Sequence, residues 1–274
     1  MRLLYLDEFG TPKLDEFLGD RIPHPYAILS HTWMQDGGEV IYNDISTASA
    51  KTKAGYQKIR FCGAQAARHG LKYFWVDTCC IDKLSSAELQ ETINSMYRYY
   101  SDAARCYVYL SDVSVNDSDP NSQIGQLSWQ SSFRKSRWFQ RGWTLQELLA
   151  AESVEFFSKE GHRLGDKRSL ELQIHEVTGI AILALRGVPL SRFSKLDRFS
   201  WAQHRQTTKQ EDWAYSLLGI FDISMPLLYG EGREKAIVRL RKAISEASKG
   251  KNYNIQVYET KFCAYTARSL FKFG

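Results

Sequence analysis

Long apolar runs are missing from this 274-residue chain. None approaches the roughly 18–20 residues that a bilayer span requires, so no membrane span is expected. The opening Met1-Arg-Leu-Leu-Tyr-Leu-Asp-Glu8 turns acidic too early for a secretory signal, and a soluble cytoplasmic protein is expected. No CxxC pair is present, which argues against a zinc site of that kind. The five cysteines (Cys62, Cys79, Cys80, Cys106 and Cys263) are an odd number and are expected as reduced, mostly buried thiols. GxGxxG and zincin motifs are absent, and Gly230-Glu-Gly-Arg233 lacks the ending of a phosphate loop and follows no strand. Internal repeats are missing too. Charge of one sign is not in large excess: 36 basic residues less 31 acidic ones leave +5, spread along the chain. Such a surface attracts anions mildly but is not a nucleic-acid footprint.

What is present is 43% hydrophobic and 13% aromatic residues, enough for a large core. After a short apolar start (Leu3, Leu4, Leu6), Pro23 and Pro25 extend the chain into a buried strand at Tyr26-Ala-Ile-Leu-Ser30. Residues 34–54 have no clear period and read as a long excursion. A helix is expected from Tyr56, with Ile59, Cys62, Ala66 and Ala67 on one face and Gly70 as its stop. Strands follow at Leu71–Asp77, Arg105–Leu110 and Ser153–Phe157. Between the first two, Ser85 and Glu88 form a capping box that opens a helix with Leu89, Ile93, Met96 and Tyr100 in one stripe. Residues 114–132 are polar and read as an exposed loop. Beyond residue 165 helices are expected at Ser169–Val177, Thr208–Leu218 (closed by Gly219) and Gly230–Ser248. The alternation predicts an α/β fold with a mainly parallel sheet and right-handed crossovers.

Ligands in such sheets bind outside the carboxyl ends of the strands, which here carry Ser30-His31, Asp77-Thr78 and Ser111-Asp112. The helix expected at 142–151 has two unlike faces. Leu145, Leu148 and Leu149 share one; Trp143 and Glu147 lie a turn apart on the other. A Trp–Glu face requires solvent or a cleft, and a cleft with Glu147 as its working group is the sharper reading. Each candidate also has a plainer account. Asp77 could cap a turn, His31 could be structural, and Trp33, Trp138 and Trp143 could be core. Arg134, Lys135, Arg137 and Arg141 could contact phosphates or simply be solvated. A thiol triad of Cys79, His31 and Asp77 is a weaker alternative.

Several motifs resemble the fungal heterokaryon-incompatibility (HET) domain. They are Tyr26-Ala-Ile-Leu-Ser-His-Thr-Trp33, Phe74-Trp-Val-Asp-Thr-Cys-Cys-Ile-Asp-Lys83, Ile93-Asn-Ser-Met96 and Ser136-Arg-Trp-Phe-Gln-Arg-Gly-Trp-Thr-Leu-Gln-Glu-Leu-Leu149. Later come Ser200-Trp-Ala202, Thr207-Thr-Lys-Gln-Glu-Asp-Trp-Ala-Tyr-Ser-Leu-Leu-Gly-Ile-Phe-Asp222 and Met225-Pro-Leu-Leu-Tyr-Gly-Glu-Gly232. The resemblance implies a HET domain over 1–248, with a TIR-like (flavodoxin-like) three-layer core at 1–165 and a C-terminal helical extension at 166–248. The tail at 249–274 departs from it. A cell-death effector of non-self recognition is implied, with a NACHT/WD-repeat module as a regulatory partner in cis or trans and homo-oligomerisation on activation.

HET domains are remotely similar to TIR domains. That likeness maps the TIR serine onto Ser30, the later strand onto Val108–Ser111, Ser-x-Trp onto Ser136–Trp138, and the WxxxE helix onto Trp143–Glu147. In NAD-cleaving TIR domains this glutamate is catalytic. The implied activity is hydrolysis of NAD to nicotinamide and ADP-ribose, with NAD as substrate and no further cofactor. Glu147 is the implied catalytic residue; Ser30, His31, Trp33, Asp77, Ser111 and Trp143 would bind substrate. A non-catalytic scaffold that recruits partners is the alternative.

Overall fold

The computed structural model describes residues 1–17, 25–34, 37–115 and 123–249. Pro23 and the tail from residue 250, with Cys263, lie outside them. Among the described residues the sheet has seven strands: β1 (Arg2–Leu6), β2 (Pro12–Glu16), β3 (Tyr26–His31), β4 (Tyr73–Trp75), β5 (Arg105–Tyr109), β6 (Val154–Phe157) and β7 (Arg163–Asp166). Their spatial order is β2-β1-β4-β3-β5-β6-β7. The central β4-β3-β5-β6 run is parallel, whereas β1, β2 and β7 pair antiparallel. The sheet is therefore mixed, not mainly parallel as expected.

All four expected strands form, with the second shortened to Tyr73–Trp75. Three others were not expected. β1 and β2 make a hairpin whose turn is tied by Asp7 Oδ1, which accepts from Phe9 N at 3.0 Å and Thr11 N at 2.8 Å. Its outer strand, Pro12-Lys-Leu-Asp-Glu16, carries charges suited to an exposed edge. β7 is another polar edge strand, with Arg163 on Glu155 and Asp166.

The helices are α1 (Tyr56–Arg68), α2 (Ser86–Asp102), α3 (Gln123–Lys135), α4 (Thr144–Ala150), α5 (Glu171–Thr178), α6 (Ile182–Leu185), α7 (Lys195–Ser200), α8 (Asp212–Tyr215), α9 (Leu218–Phe221) and α10 at 233–249. Short 3-10 turns at Tyr42–Asp44 and Ala48–Thr52 lie in the long excursion. Residues 123–132 were expected in a loop but belong to α3, while 116–122 lie outside the described residues. The Gln/Ser-rich composition of α3 hides its apolar anchor, Phe133, which packs on Phe139 and Phe156. Only half of the capping box at α2 forms. Ser85 Oγ accepts from Glu88 N, but the Glu88 carboxylate takes Arg2 and Asp82 N instead.

Two glycines fix how the later helices meet the sheet's helices. A Cβ at Gly219 would stand 2.1 Å from Tyr97 Cβ, so α9 lies backbone-close on α2. That close approach places Gly219 inside α9 rather than at a helix stop, and Asp222, with φ 57°, closes it instead. At Gly142 a Cβ would stand 2.5 Å from Thr207 Cγ2. There Arg141 pairs with Gln206 as an isolated parallel bridge just before α4.

Strand alternation assigns the side chains to faces. Tyr107 and Tyr109 of β5 and Phe157 of β6 meet α1, through Gln65 O, His69 and Phe61. Their register partners in β3 are Leu29 and His31. Phe156 packs instead on Trp138 and Phe133, toward α3 and α4. Ser30, level with Val108, shares that second face. The parallel order reverses between β3 and β5, and a doubly wound sheet offers its crevice at such a point.

Candidate functional site

α4 is buried on every side, with Thr144 through Leu149 all covered. Glu147 therefore faces neither solvent nor an open cleft; it is 7% exposed. Ser30 Oγ accepts from Trp138 Nε1 at 2.8 Å and donates to Glu147 Oε2. The Tyr100 hydroxyl, which also reaches Glu147, donates its hydrogen to Leu29 O at 3.0 Å. Burial pushes the Glu147 carboxyl up to about 8. The Ser30 hydrogen bond opposes this, the Asp77 charge adds to it, and Tyr100 and Arg141 oppose it less. A carboxyl held protonated near neutrality at a sheet's carboxyl edge is the property expected of a working group.

His31 points to the other face. Lys58 is 1% exposed and donates to Thr32 O at 2.9 Å, to the Glu39 carboxylate and to His31 Nδ1 at 3.2 Å. Those contacts use all three ammonium protons, so His31 Nδ1 is an acceptor and Nε2 carries the hydrogen. Nε2 donates to Asp77 Oδ1 at 3.0 Å. Asp77 Oδ2 accepts from the Trp33 indole N–H at 2.8 Å. Burial raises the Asp77 carboxyl, but the His31 hydrogen bond, the Lys83 charge and the Trp33 N–H together hold it below the usual range. Lys83 Nζ lies 3.5 Å from the centroid of the Trp33 ring.

Ser30, His31, Trp33, Asp77 and Glu147 thus gather around the end of β3, with Asp77 close enough for its charge to act on Glu147. Two predicted residues have other partners. Ser111 Oγ lies 3.4 Å from Thr32 Oγ1, a long contact. The Trp143 indole donates to Asp212 Oδ2 at 3.2 Å, toward α8, and Tyr229 completes that carboxylate at 2.9 Å. The thiol triad does not assemble: Cys79 Sγ donates to Val76 O at 3.9 Å, and burial pushes its thiol well up. Cys62, Cys79, Cys80 and Cys106 are all free and buried.

Sequence reasoning missed Lys58, Glu39 and Lys83, and took Tyr100 for core. It also missed Arg205, which is buried at the start of α4. Its Nη1 donates to Thr144 Oγ1 and Arg141 O, both at 2.9 Å. Its Nη2 has no partner among the described residues. Burial pulls this guanidinium down to about 9, while the charge of Glu147 acts the other way. A cavity of about 640 Å³ opens at the opposite, amino-terminal edge of β5 and β6, lined by Arg105, Glu155 and Lys167 among others. No described helix is long and apolar enough to cross a membrane.

Residues 26–125 match the family described as "Heterokaryon incompatibility protein (HET)". Over 247 residues the chain is 58% identical to "Vegetative incompatibility protein HET-E-1" of Podospora anserina. The alignment covers 90% of this chain and 18% of that protein, so the chain spans less than a fifth of the length of the curated relative it matches. No solved structure matches. Residues 26–125 thus match a HET-domain model, and the likeness to the Podospora protein extends over most of this chain.

Proposed function

We propose that the chain is the cell-death effector domain of a fungal non-self recognition system, acting by hydrolysing NAD to nicotinamide and ADP-ribose when clustered. The observation that carries this is the Glu147 carboxyl, buried on Ser30 at the carboxyl edge of β3 and raised to about 8. Numbered among themselves, the four parallel strands run 2-1-3-4, the order of flavodoxin-like folds, which supports a TIR-like core. The helices after β7 would be the extension that braces it, through the α9–α2 contact and the Gly142–Thr207 approach.

The chemistry needs few groups. Nicotinamide departs from NAD as a neutral molecule from a cationic ring, so no acid has to protonate it. The ribose left behind has oxocarbenium character, which an ionised carboxylate stabilises before water adds. Glu147 is that carboxylate, and Ser30 orients it. Because burial is what keeps the proton on Glu147, the cationic substrate itself favours its loss. The rate therefore rises with pH as Glu147 ionises, with kcat/KM breaking near pH 8 for the free protein.

The direct test is nicotinamide release from NAD by the clustered protein, wild type against Glu147→Gln. A loss of about 10²–10⁴-fold is expected; equal turnover would remove Glu147 from the reaction. One observation favours a second reading, a death-signalling scaffold acting by oligomerisation and partner recruitment, with a NACHT/WD-repeat module among its partners. Glu147 is closed in, 7% exposed, by Ser30, which Trp138 holds in turn, and by Tyr100. Toxicity on forced clustering with cellular NAD unchanged would select the scaffold.

A further inference from the structure

Trp33 is the exposed aromatic at the carboxyl edge of β3, with 43% of its surface free. Its ring is nevertheless not free to swing. The indole N–H is bonded to Asp77 Oδ2, and the other oxygen of Asp77 is held by His31. One face of the ring is taken by the Lys83 ammonium, 3.5 Å from the centroid, a cation–π contact. Lys83 makes no ion pair or hydrogen bond with any described residue. The neighbouring Asp77 carboxylate has both oxygens engaged elsewhere, and Asp77 and Glu39 act on Lys83 only through their charges. A half-buried ammonium with no hydrogen-bond or ion-pair partner among the described residues thus stands against a fixed, part-exposed aromatic ring.

We infer that Trp33 and Lys83 form an anchor for the adenosine-diphosphate half of a dinucleotide, the ring stacking the base and the ammonium taking the diphosphate. This rests on the NAD-cleavage reading and deepens it by fixing which end of the substrate lies where. A compact ammonium binds phosphate oxygen as a point charge, strongly when partly desolvated. The same ammonium repels the pyridinium of NAD from the Trp33 ring and leaves the neutral adenine as its partner. Adenine on Trp33 directs the nicotinamide ribose toward Glu147, whose carboxyl feels the charge of Asp77, the residue that pins Trp33.

The test measures binding of ADP-ribose and of adenosine to the full chain by calorimetry, for wild type, Lys83→Gln, Lys83→Arg and Trp33→Leu. Lys83→Gln is expected to weaken ADP-ribose about tenfold, roughly one charge-assisted hydrogen bond, and to leave adenosine unchanged. Lys83→Arg restores ADP-ribose binding, and Trp33→Leu weakens both ligands. Unchanged ADP-ribose binding in Lys83→Gln overturns the anchor, as does an equal loss of adenosine or failure of the wild type to bind ADP-ribose. Turnover separates this inference from the reading beneath it. Nicotinamide release with the same KM for NAD in Lys83→Gln would sink the anchor and keep the reaction. Lys83-dependent ADP-ribose binding without nicotinamide release would keep the anchor and sink the reaction.

Discussion

Ser30 and His31 are neighbours in the chain, yet they serve two networks on opposite faces of β3. On the Ser30 side, Glu147 is met by the Ser30 hydroxyl, itself held by Trp138, and by no cation in contact among the described residues, and burial wins: its carboxyl rises to about 8. On the His31 side, Asp77 also resists burial but is held by His31, Trp33 and Lys83, and its carboxyl falls below the usual range. Two carboxyls at one strand end are thereby driven in opposite directions. Such a split is how a site assigns different roles to chemically similar groups. Here it leaves Asp77 as a fixed anion that orients Trp33 and Glu147 as the group that changes state.

The largest expected effect follows from that split. A Glu147 carboxyl at about 8 when folded, against 4.5 when unfolded, binds its proton more tightly in the folded state. Its stabilising contribution is complete below pH 4.5 and is lost as pH rises through about 8. The interval corresponds to about 5 kcal/mol at 1.36 kcal/mol per pH unit, an upper bound once the site relaxes. Asp77 acts in reverse, stabilising above the unfolded carboxyl range and losing that contribution as pH falls through its lowered folded value. Urea unfolding between pH 5 and 8.5 should show wild-type stability falling with pH and Glu147→Gln much flatter. Parallel profiles would mean that Glu147 is ionised in the fold. Stability and the proposed reaction thus pull against each other at one residue, since the reaction needs the ionised form.

The second comparison breaks the His31 side. Lys58→Met leaves Glu39 buried without its cation, and His31 and Thr32 O without a donor. Removing one partner of a buried pair costs about 3–5 kcal/mol. Adding Glu39→Leu should recover much of that loss, because the stranded charge goes with it. A single variant within 1 kcal/mol of wild type would show that the network is not a buried ion pair.

How much of this was readable from residues alone divides in the same way. The strand ending in Ser30-His31, the strand before Asp77 and the helix bearing Glu147 all follow from local pattern and lie where expected. A period of two even requires Ser30 and His31 to part. Their partners come from distant segments. Lys58 stands beside the apolar stripe of α1 with nothing local to mark its burial, and Tyr100 continues a stripe that core packing explains equally well. The edge strands β1, β2 and β7 were missed because edge strands carry polar residues, and α3 because few of its residues are apolar. Trp143 was paired with Glu147 by helical spacing, but it caps α4 and turns to Asp212. Spacing along a helix fixes direction, not neighbours.

Smaller effects sharpen the Ser30 side. Ser30→Ala leaves the buried Trp138 N–H without an acceptor and takes a hydrogen bond from Glu147, at about 1–3 kcal/mol. Because the Ser30 bond is what draws the Glu147 carboxyl down, its loss should move the pH at which stability falls further above 8. A shift toward lower pH would mean that Ser30 favours the protonated form.

The smallest effect is expected at Ser111, and it separates binding from architecture. Its hydroxyl is 3.4 Å from Thr32 Oγ1, at the limit of a hydrogen bond, and Ser111 is only half-buried. Ser111→Ala should therefore change unfolding stability by no more than about 0.5 kcal/mol. If Ser111 contacts NAD, the same variant raises KM while the melting temperature stays put. A change in melting temperature with KM constant would instead place Ser111 in the frame that holds the ends of β3 and β5 together.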